Sequence, residues 1–473
     1  MSSAKPIVIM GAGPAGLTAA WELIRAGRNV VVWEADPSYV GGISRTVQAQ
    51  GFRFDIGGHR FFSKSSEVNE VWRQIMPNDF IDCPRLSRIY YGGKFFNYPL
   101  EALNAFVNLG PVETWRILVS YFKARLKPQK PELSFAQWVT NRFGKRLFEI
   151  FFKSYTEKVW GISCDEISAD WAAQRIKGLS LTEAVKSMML GRKAAPTAKT
   201  LIRNFFYPRL GPGQMWETAA NKILEQGGAI FLDRRVQTIH WDETGVTHIT
   251  GTNQSGEFFQ QEGSYFLSSI PLQELMLGLD PAPPKTVLAA ARALRYRDFI
   301  TVCLIVNRAE VFPDTWIYIH DPTVKVGRVQ NYKNWSAAMV PDPSMTSLGM
   351  EYFCFEGDNL WTATDHDLAQ LAIQEAVQIG LIKADEIQDA FVVRMPKAYP
   401  IYDQHYHGHL EVIKEWVCQF ANLQPVGRNG MHHYNNQDHS MMTAMLAARN
   451  IQGANYDCWK VNTEAEYHED SKN

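Results

Sequence analysis

Neither sign of charge prevails in this chain, its cysteines never pair at short spacing, and no long apolar run crosses it. With 48 Lys and Arg against 49 Asp and Glu, the formal net charge of −1 calls for no nucleic acid and no generally anionic surface. Any anion must therefore be met by local groups. The six cysteines, Cys83, Cys164, Cys303, Cys354, Cys418 and Cys458, stand apart without a C-x-x-C pair. That spacing excludes a disulfide or zinc framework and fits reduced thiols in a cytoplasm. No uninterrupted apolar stretch reaches the ~18 residues of a membrane span, and the first short one leads straight into a glycine turn, so neither a transmembrane segment nor a signal peptide is expected. No segment repeats at a fixed period, which excludes a solenoid.

What remains is an ordinary globular composition at a length that implies two or three lobes: 473 residues, 46% hydrophobic and 21% charged. Aromatics are plentiful, with 14 Trp and 18 Tyr. Most belong in cores, but a flat cofactor or a sugar-binding cleft draws on the same supply.

The most informative stretch is Ile7 to Glu34. Ile7 to Met10 reads as a buried parallel strand, and Gly11, Gly13 and Gly16 give the G-x-G-x-x-G spacing on which a helix opens. Gly11 permits the tight turn, Gly13 leaves room for a pyrophosphate, and Gly16 lets the helix lie close on the strand. Pro14 and Ala15 start that helix, whose free N–H groups and positive dipole end face the phosphates. Val30 to Trp33 is the second strand, and Glu34 at its carboxyl end stands where a carboxylate accepts hydrogen bonds from a ribose. Next comes a second glycine turn carrying a cation, through Gly42, Ser44 and Arg45. A nicotinamide-only domain has no need of it, whereas a longer dinucleotide can use Arg45 against its pyrophosphate, which favours FAD. Phe52 to Ile56 alternates like a strand and ends in Gly57-Gly58-His59, where missing side chains let the backbone approach a flat ring. His59 is placed near that ring or, alternatively, in a purely structural turn.

Further along, Arg88 to Pro99 predicts a hairpin turning at Gly92-Gly93. Helical runs follow around Val112 to Arg125, Phe135 to Trp160 and Trp171 to Leu190, forming an inserted lobe in which Tyr155 and Trp160 share one short segment; the pattern alone favours plain helix packing ended by Gly161 over a site there. A helix is expected over Met215 to Gln226, then strands at Val236 to Trp241, Gly245 to Thr252, Tyr265 to Ser269 and Phe299 to Val306. Aromatic-rich strands are expected within Trp316 to Trp335, a helix over Asp365 to Ile379, and a last helix over Ser440 to Ala448. Gly427-Arg428 opens a polar loop before that last helix. His405, His407 and His409 alternate as on one strand face, but an ordinary polar surface is preferred to a metal site. The tail from Thr463 is polar and acidic.

Taken together, GAGPAGL, Glu34, GGISRT and the GGH turn resemble the glutathione-reductase-like FAD fold of amine oxidases, protoporphyrinogen oxidase, phytoene desaturases and UDP-galactopyranose mutases. YGGKFFNYPL, YTEKVWG, LRYRDF, AYPIYD and GRNGMHHYNNQD are most similar to mutase segments, in the same order. The resemblance implies an α/β chain: a Rossmann-type FAD-binding domain (1–87, 201–280 and 401–473), a hairpin and helical insertion (88–200) and a mixed β-sheet substrate domain (281–400). It implies non-covalent FAD, with NADH or NADPH as candidate reductant and a homodimer as candidate assembly. The implied reaction is attack by reduced flavin N5 on the anomeric carbon of a nucleotide sugar, expelling the diphosphate before the sugar recloses with another ring size.

On this resemblance Arg297 and Tyr434 hold the diphosphate, Tyr155 and Trp160 line the cleft beside His59, and Tyr399 adds a phenol. Gly427 and Arg428 contact the flavin end of FAD, and Val236, Asn436, Asp438, Ser440 and Met441 complete the cofactor set. Three departures stand out. The loop Arg175-Ile176-Lys177-Gly178-Leu179 lacks the mutases' second arginine, leaving Lys177 as a point charge; their Asp-x-Asp is Asn436-Gln437-Asp438; and their Gly-Pro-His is Gly57-Gly58-His59. The alternative is an amine oxidase or desaturase that removes hydride from an amine, polyene or alcohol. A flavin-free binder of the GDP-dissociation-inhibitor kind is disfavoured by Glu34, Arg45 and Gly427-Arg428.

Overall fold

The computed structural model describes residues 5–169, 171 and 204–462. Its first layer is a five-stranded parallel sheet in the order Leu423–Pro425, Tyr265–Ser268, Ile7–Met10, Val30–Trp33, Ala229–Phe231. Ile7–Met10 and Val30–Trp33 are buried at every residue, as unbroken apolar runs covered on both faces must be. Helix Pro14–Arg25 lies against helices Gln437–Ile451 and Pro212–Glu225, so segments from both ends of the chain complete one domain. A four-stranded sheet flanks it, built from Phe258–Glu262, Gly245–Thr252, Arg235–Asp242 and Leu279–Asp280.

The second large layer is a seven-stranded sheet in the order Ile387–Pro400, Tyr296–Val306, Thr346–Cys354, Arg328–Asn331, Trp316–Ile319, Ser87–Tyr91, Lys94–Asn97. The hairpin at Gly92-Gly93 is there, both glycines at positive φ. It pairs with Trp316–Ile319 and so extends this sheet, rather than standing with the helical segment that follows it in sequence. Helices Ala102–Leu109, Pro111–Leu126 and Phe135–Phe143 make the lobe, followed by a π-helical turn at Glu149–Lys153 that runs directly into helix Ser154–Trp160. Such a wide turn re-aims the residues after it. Here those residues include Tyr155.

Several expectations shift in detail. Helix Pro212–Glu225 starts three residues before Met215, because Pro212 is preset for a first helical turn and Gly211 takes φ 92° ahead of it. The last helix runs Gln437–Ile451, since Asn436 and His439 cap its start reciprocally. Within Trp316 to Trp335, two strands are followed by a short helix, Tyr332–Trp335. His405, His407 and His409 do not share a strand face: His405 is the N-cap of helix Tyr406–Val417, which carries the other two. The expected helix Trp171 to Leu190, the Arg175 to Leu179 loop with Lys177, and the tail from Thr463 lie outside the described residues.

Candidate functional site

The glycine turn after the first strand is shaped by contacts that leave no room for side chains. Gly11 has φ 99°, and a Cβ on Gly16 would run into the Gly11 carbonyl oxygen. A Cβ on Gly42 would lie 3.4 Å from Gly13 Cα, so the two glycine turns face each other across a slot that side chains would fill. No side chain caps helix Pro14–Arg25, which leaves its first N–H groups pointing toward that slot. Glu34 Oε2 accepts the Ala12 N–H at 2.7 Å and Oε1 accepts the Asp36 N–H at 2.9 Å. The carboxylate thus pins the turn, and burial pushes its pKa upward. Arg45 forms an ion pair with Asp36 and lies 5.3 Å over the Tyr39 ring, so its charge already has a protein partner. Val236 lies two residues after Arg234, whose N–H donates to the Glu34 carbonyl at 2.8 Å.

From the other end of the chain, Gly427 closes on the same helix start, where a Cβ would meet Ala15 Cβ at 2.8 Å. Thr443 Oγ1 accepts the Gly427 N–H at 2.9 Å and donates to the Ser440 carbonyl at 2.7 Å. Asn436 and Asp438 stand at the N-terminal end of the last helix. The Met441 side chain points away: it is fully buried, and its sulfur accepts the Trp72 indole N–H at 3.0 Å. Any contact of Met441 with a cofactor is therefore left to its backbone.

Between the parallel domain, the seven-stranded sheet and the helical lobe, aromatic rings and guanidinium groups pack into one cluster. Tyr399 and Tyr434 stack at 5.7 Å with their planes 16° apart, and Trp160 approaches them at 6.5 and 6.0 Å. Arg428 Cζ sits 5.3 Å over Tyr399 and 4.9 Å over Tyr434, its Nε donating to the Asn435 carbonyl. Tyr155 stacks on His320 at 4.7 Å and meets Tyr318 edge-on. Burial pushes the Tyr399 phenol up to about 12, with Tyr434 adding to the shift, and lifts Tyr155 well above its usual range. Both remain hydrogen-bond donors at neutral pH.

His59 stands beside these groups. Its Nε2 is 2.7 Å from the Ile56 carbonyl and its Nδ1 3.4 Å from Ser44 Oγ. Burial, reinforced by Arg428 and Arg328, drives its pKa down to about 4. His59 is thus a neutral ring, and the carbonyl requires the hydrogen on Nε2, which leaves Nδ1 as an acceptor. Gly57 takes φ 88°, and a Cβ there would lie 3.7 Å from Arg328 Nη2; one on Gly58 would lie 3.1 Å from Gln330 Nε2.

Arg297 is engaged by backbone carbonyls. Its Nε donates to the Val159 carbonyl at 3.1 Å, and its Nη2 to the carbonyls of Lys158 at 3.2 Å and Phe353 at 2.7 Å. The guanidinium caps the C-terminus of helix Ser154–Trp160 and packs 4.2 Å over Phe355. Gly161, at φ 66°, ends the helix where a Cβ would lie 2.5 Å from Arg297 Cζ. Within YTEKVWG, Lys158 donates to the carbonyls of Ile319, Asp321 and Val326 and fastens the helix to the sheet. Tyr155 and Trp160 turn instead to aromatic neighbours, Tyr155 to Tyr318 and His320, Trp160 to Tyr399 and Tyr434.

Sequence reading missed Arg328, Gln330, Glu351 and His320. Arg328 and Gln330 alternate on strand Arg328–Asn331 and both reach the fully buried Glu351, Arg328 as an ion pair and Gln330 at 2.9 Å. The available signal was two polar residues in alternation inside a segment otherwise read for its aromatics. Their shared acid is more than twenty residues away.

The family model for flavin containing amine oxidoreductases matches residues 14–375. The putrescine oxidase of Kocuria rosea is 24% identical over 278 residues, 52% of this chain and 52% of that protein, so the match spans about half its length. Protoporphyrinogen oxidase 2 of Arabidopsis thaliana is 21% identical over 452 residues, 87% of each chain. Among solved structures, reduced UDP-galactopyranose mutase superposes with a TM-score of 0.82 at 22% identity, covering 97% of this chain and 98% of that one. The opposed Gly13 and Gly42, the uncapped helix start and Gly57 provide the side-chain-free slot that a flavin dinucleotide requires. The chain belongs to the flavin containing amine oxidoreductase family, and FAD is its cofactor.

Proposed function

We propose that this FAD-dependent enzyme acts on a nucleotide-activated sugar and isomerises it in mutase fashion. The observation that carries the reading is electrostatic: among the described residues Arg428 bonds only the carbonyls of Asn435 and Ala398, so its charge beside His59 is not offset by an acid, whereas that of Arg328 is offset by Glu351. An amine substrate enters as a cation, and a like charge at ~6 Å costs about 3 kcal/mol at an effective dielectric of 20. A diphosphate gains where an amine loses. Likeness in fold to a UDP-galactopyranose mutase agrees with this reading.

In this scheme Gly11, Gly13, Gly16, Gly42 and Gly427 hold the dinucleotide, with Glu34 fastening the turn. When bound and reduced, FAD supplies the nucleophile for an exchange at the anomeric carbon, with no net consumption of electrons. Arg428, whose Nε and Nη1 donate to the carbonyls of Asn435 and Ala398, offsets with its remaining Nη2 the negative charge that grows on the departing diphosphate. Tyr155, Tyr399 and Tyr434 donate hydrogen bonds to the sugar and its phosphates. Trp160 closes the wall against water, and His59 Nδ1 accepts a proton donor rather than supplying charge. In this reading the diphosphate role passes from Arg297 to Arg428. NADH or NADPH serves as reductant, and the protein works in the cytoplasm.

The test is anaerobic incubation of reduced and oxidised enzyme with a panel of nucleotide sugars, following flavin absorbance and sugar products together. Ring-isomerised sugar formed only by reduced enzyme is expected. Bleaching of the oxidised enzyme by an amine or a polyene, with recolouring in oxygen, would replace this reading by hydride removal.

A further inference from the structure

Helix Pro111–Leu126 buries Ile117 and Tyr121 against the lobe and turns a second apolar line outward. Val112, Trp115, Val119, Phe122 and Leu126 follow one another at spacings of three and four and are between 47% and 82% exposed. Val107 before the helix and Leu133 after it are exposed as well. The helix is firmly held beneath this stripe: a Cβ on Gly144 would lie 2.7 Å from the Tyr121 nitrogen, and Glu113 pairs with Arg146. Nothing has to be ordered for the stripe to bind.

The charges beside it select what it binds. Residues 111–130 contain five cations, Arg116, Lys123, Arg125, Lys127 and Lys130, and a single carboxylate, Glu113. With the stripe at the a and d positions of a heptad, Arg116 and Lys123 fall at e and Arg125 at g. A second copy packed antiparallel would set these cations against one another, and one packed parallel would offer Lys123 only Leu118, with no carboxylate to meet it. An anionic plane with an apolar interior complements both features, with Trp115 and Phe122 entering the headgroup boundary and the flanking cations meeting its phosphates. We propose that helix Pro111–Leu126 docks the enzyme on the surface of a bilayer containing anionic phospholipid, as a peripheral contact; among the described residues, no helix is long and apolar enough to cross one.

The experiment is flotation of the full-length, FAD-loaded protein with vesicles of phosphatidylcholine alone or with roughly one-third phosphatidylserine. Flotation with the anionic vesicles only, reversed by salt, is expected. Trp115→Glu with Phe122→Glu should remain in solution at unchanged flavin absorbance. Lys123→Ala with Arg125→Ala, which leaves the apolar stripe intact, should weaken binding about 30-fold. The proposal is overturned if neither vesicle carries the protein, if both carry it equally, or if sedimentation shows a dimer that Trp115→Glu dissolves.

Discussion

Arg328 forms a buried ion pair with Glu351, and that acid is fully covered by protein. Removing one partner strands the other in a low-dielectric interior. Glu351→Ala should therefore lose about 3–5 kcal/mol of stability, read as a lowered denaturation midpoint. Glu351→Gln, which keeps the shape and can still accept one hydrogen bond, should lose less.

Arg297 distinguishes a cap from a substrate ligand. Arg297→Met leaves the carbonyls of Lys158, Val159 and Phe353 without their donor. A stability loss of ~2–4 kcal/mol is expected, with nucleoside diphosphate affinity of the folded fraction unchanged. Arg428→Leu, which strips a donor from the carbonyls of Asn435 and Ala398, should lower stability as well, but with an at least tenfold drop in the folded fraction's affinity for a nucleoside diphosphate. A tenfold affinity loss in the Arg297 variant, measured by calorimetry, would return that residue to the substrate.

Gly42→Ala tests the slot. The added methyl faces Gly13 Cα at 3.4 Å, and φ is 55°. Purified protein should be folded by circular dichroism yet carry a fraction of the parent's flavin absorbance. Gly16→Ala is more severe, because its methyl overlaps the backbone of the turn itself. Colourless protein is expected there.

Asp55 gives a pH signature. Burial raises its pKa to about 7, against the opposing hydrogen bonds from Tyr207 and Thr46. An acid whose folded pKa lies above its unfolded value stabilises the fold at low pH, and that contribution is lost as pH rises through the folded pKa. Between about pH 4 and pH 7, Asp55→Asn should gain on the parent by ~1.4 kcal/mol per unit. Paired urea titrations across that window check it, and a constant difference between the two proteins would contradict it.

Local chemistry was legible because it depends on neighbours in the chain. The turn at Gly11, Gly13 and Gly16 requires its glycines wherever it occurs, and the hairpin at Gly92-Gly93 follows from positive φ at two adjacent residues. Helix starts were misplaced by a few residues at Pro212 and Gln437, since a proline or a reciprocal cap begins a helix before its apolar periodicity does. The pattern of His405, His407 and His409 was read at the wrong period, because three residues do not separate a strand from a helix.

The sequence by itself determined the dinucleotide fold and its flavin, because glycine turns, strand ends and a carboxylate act through the backbone at fixed short spacing. Only the tertiary structure decided which partner each arginine bonds. Arg297 and Arg328 are both cations on strands of one sheet, yet one meets the carbonyl end of a helix and the other a buried acid beside the glycine turn before His59. A guanidinium is directed by the acceptors around it, and those arrive from segments far away in the chain.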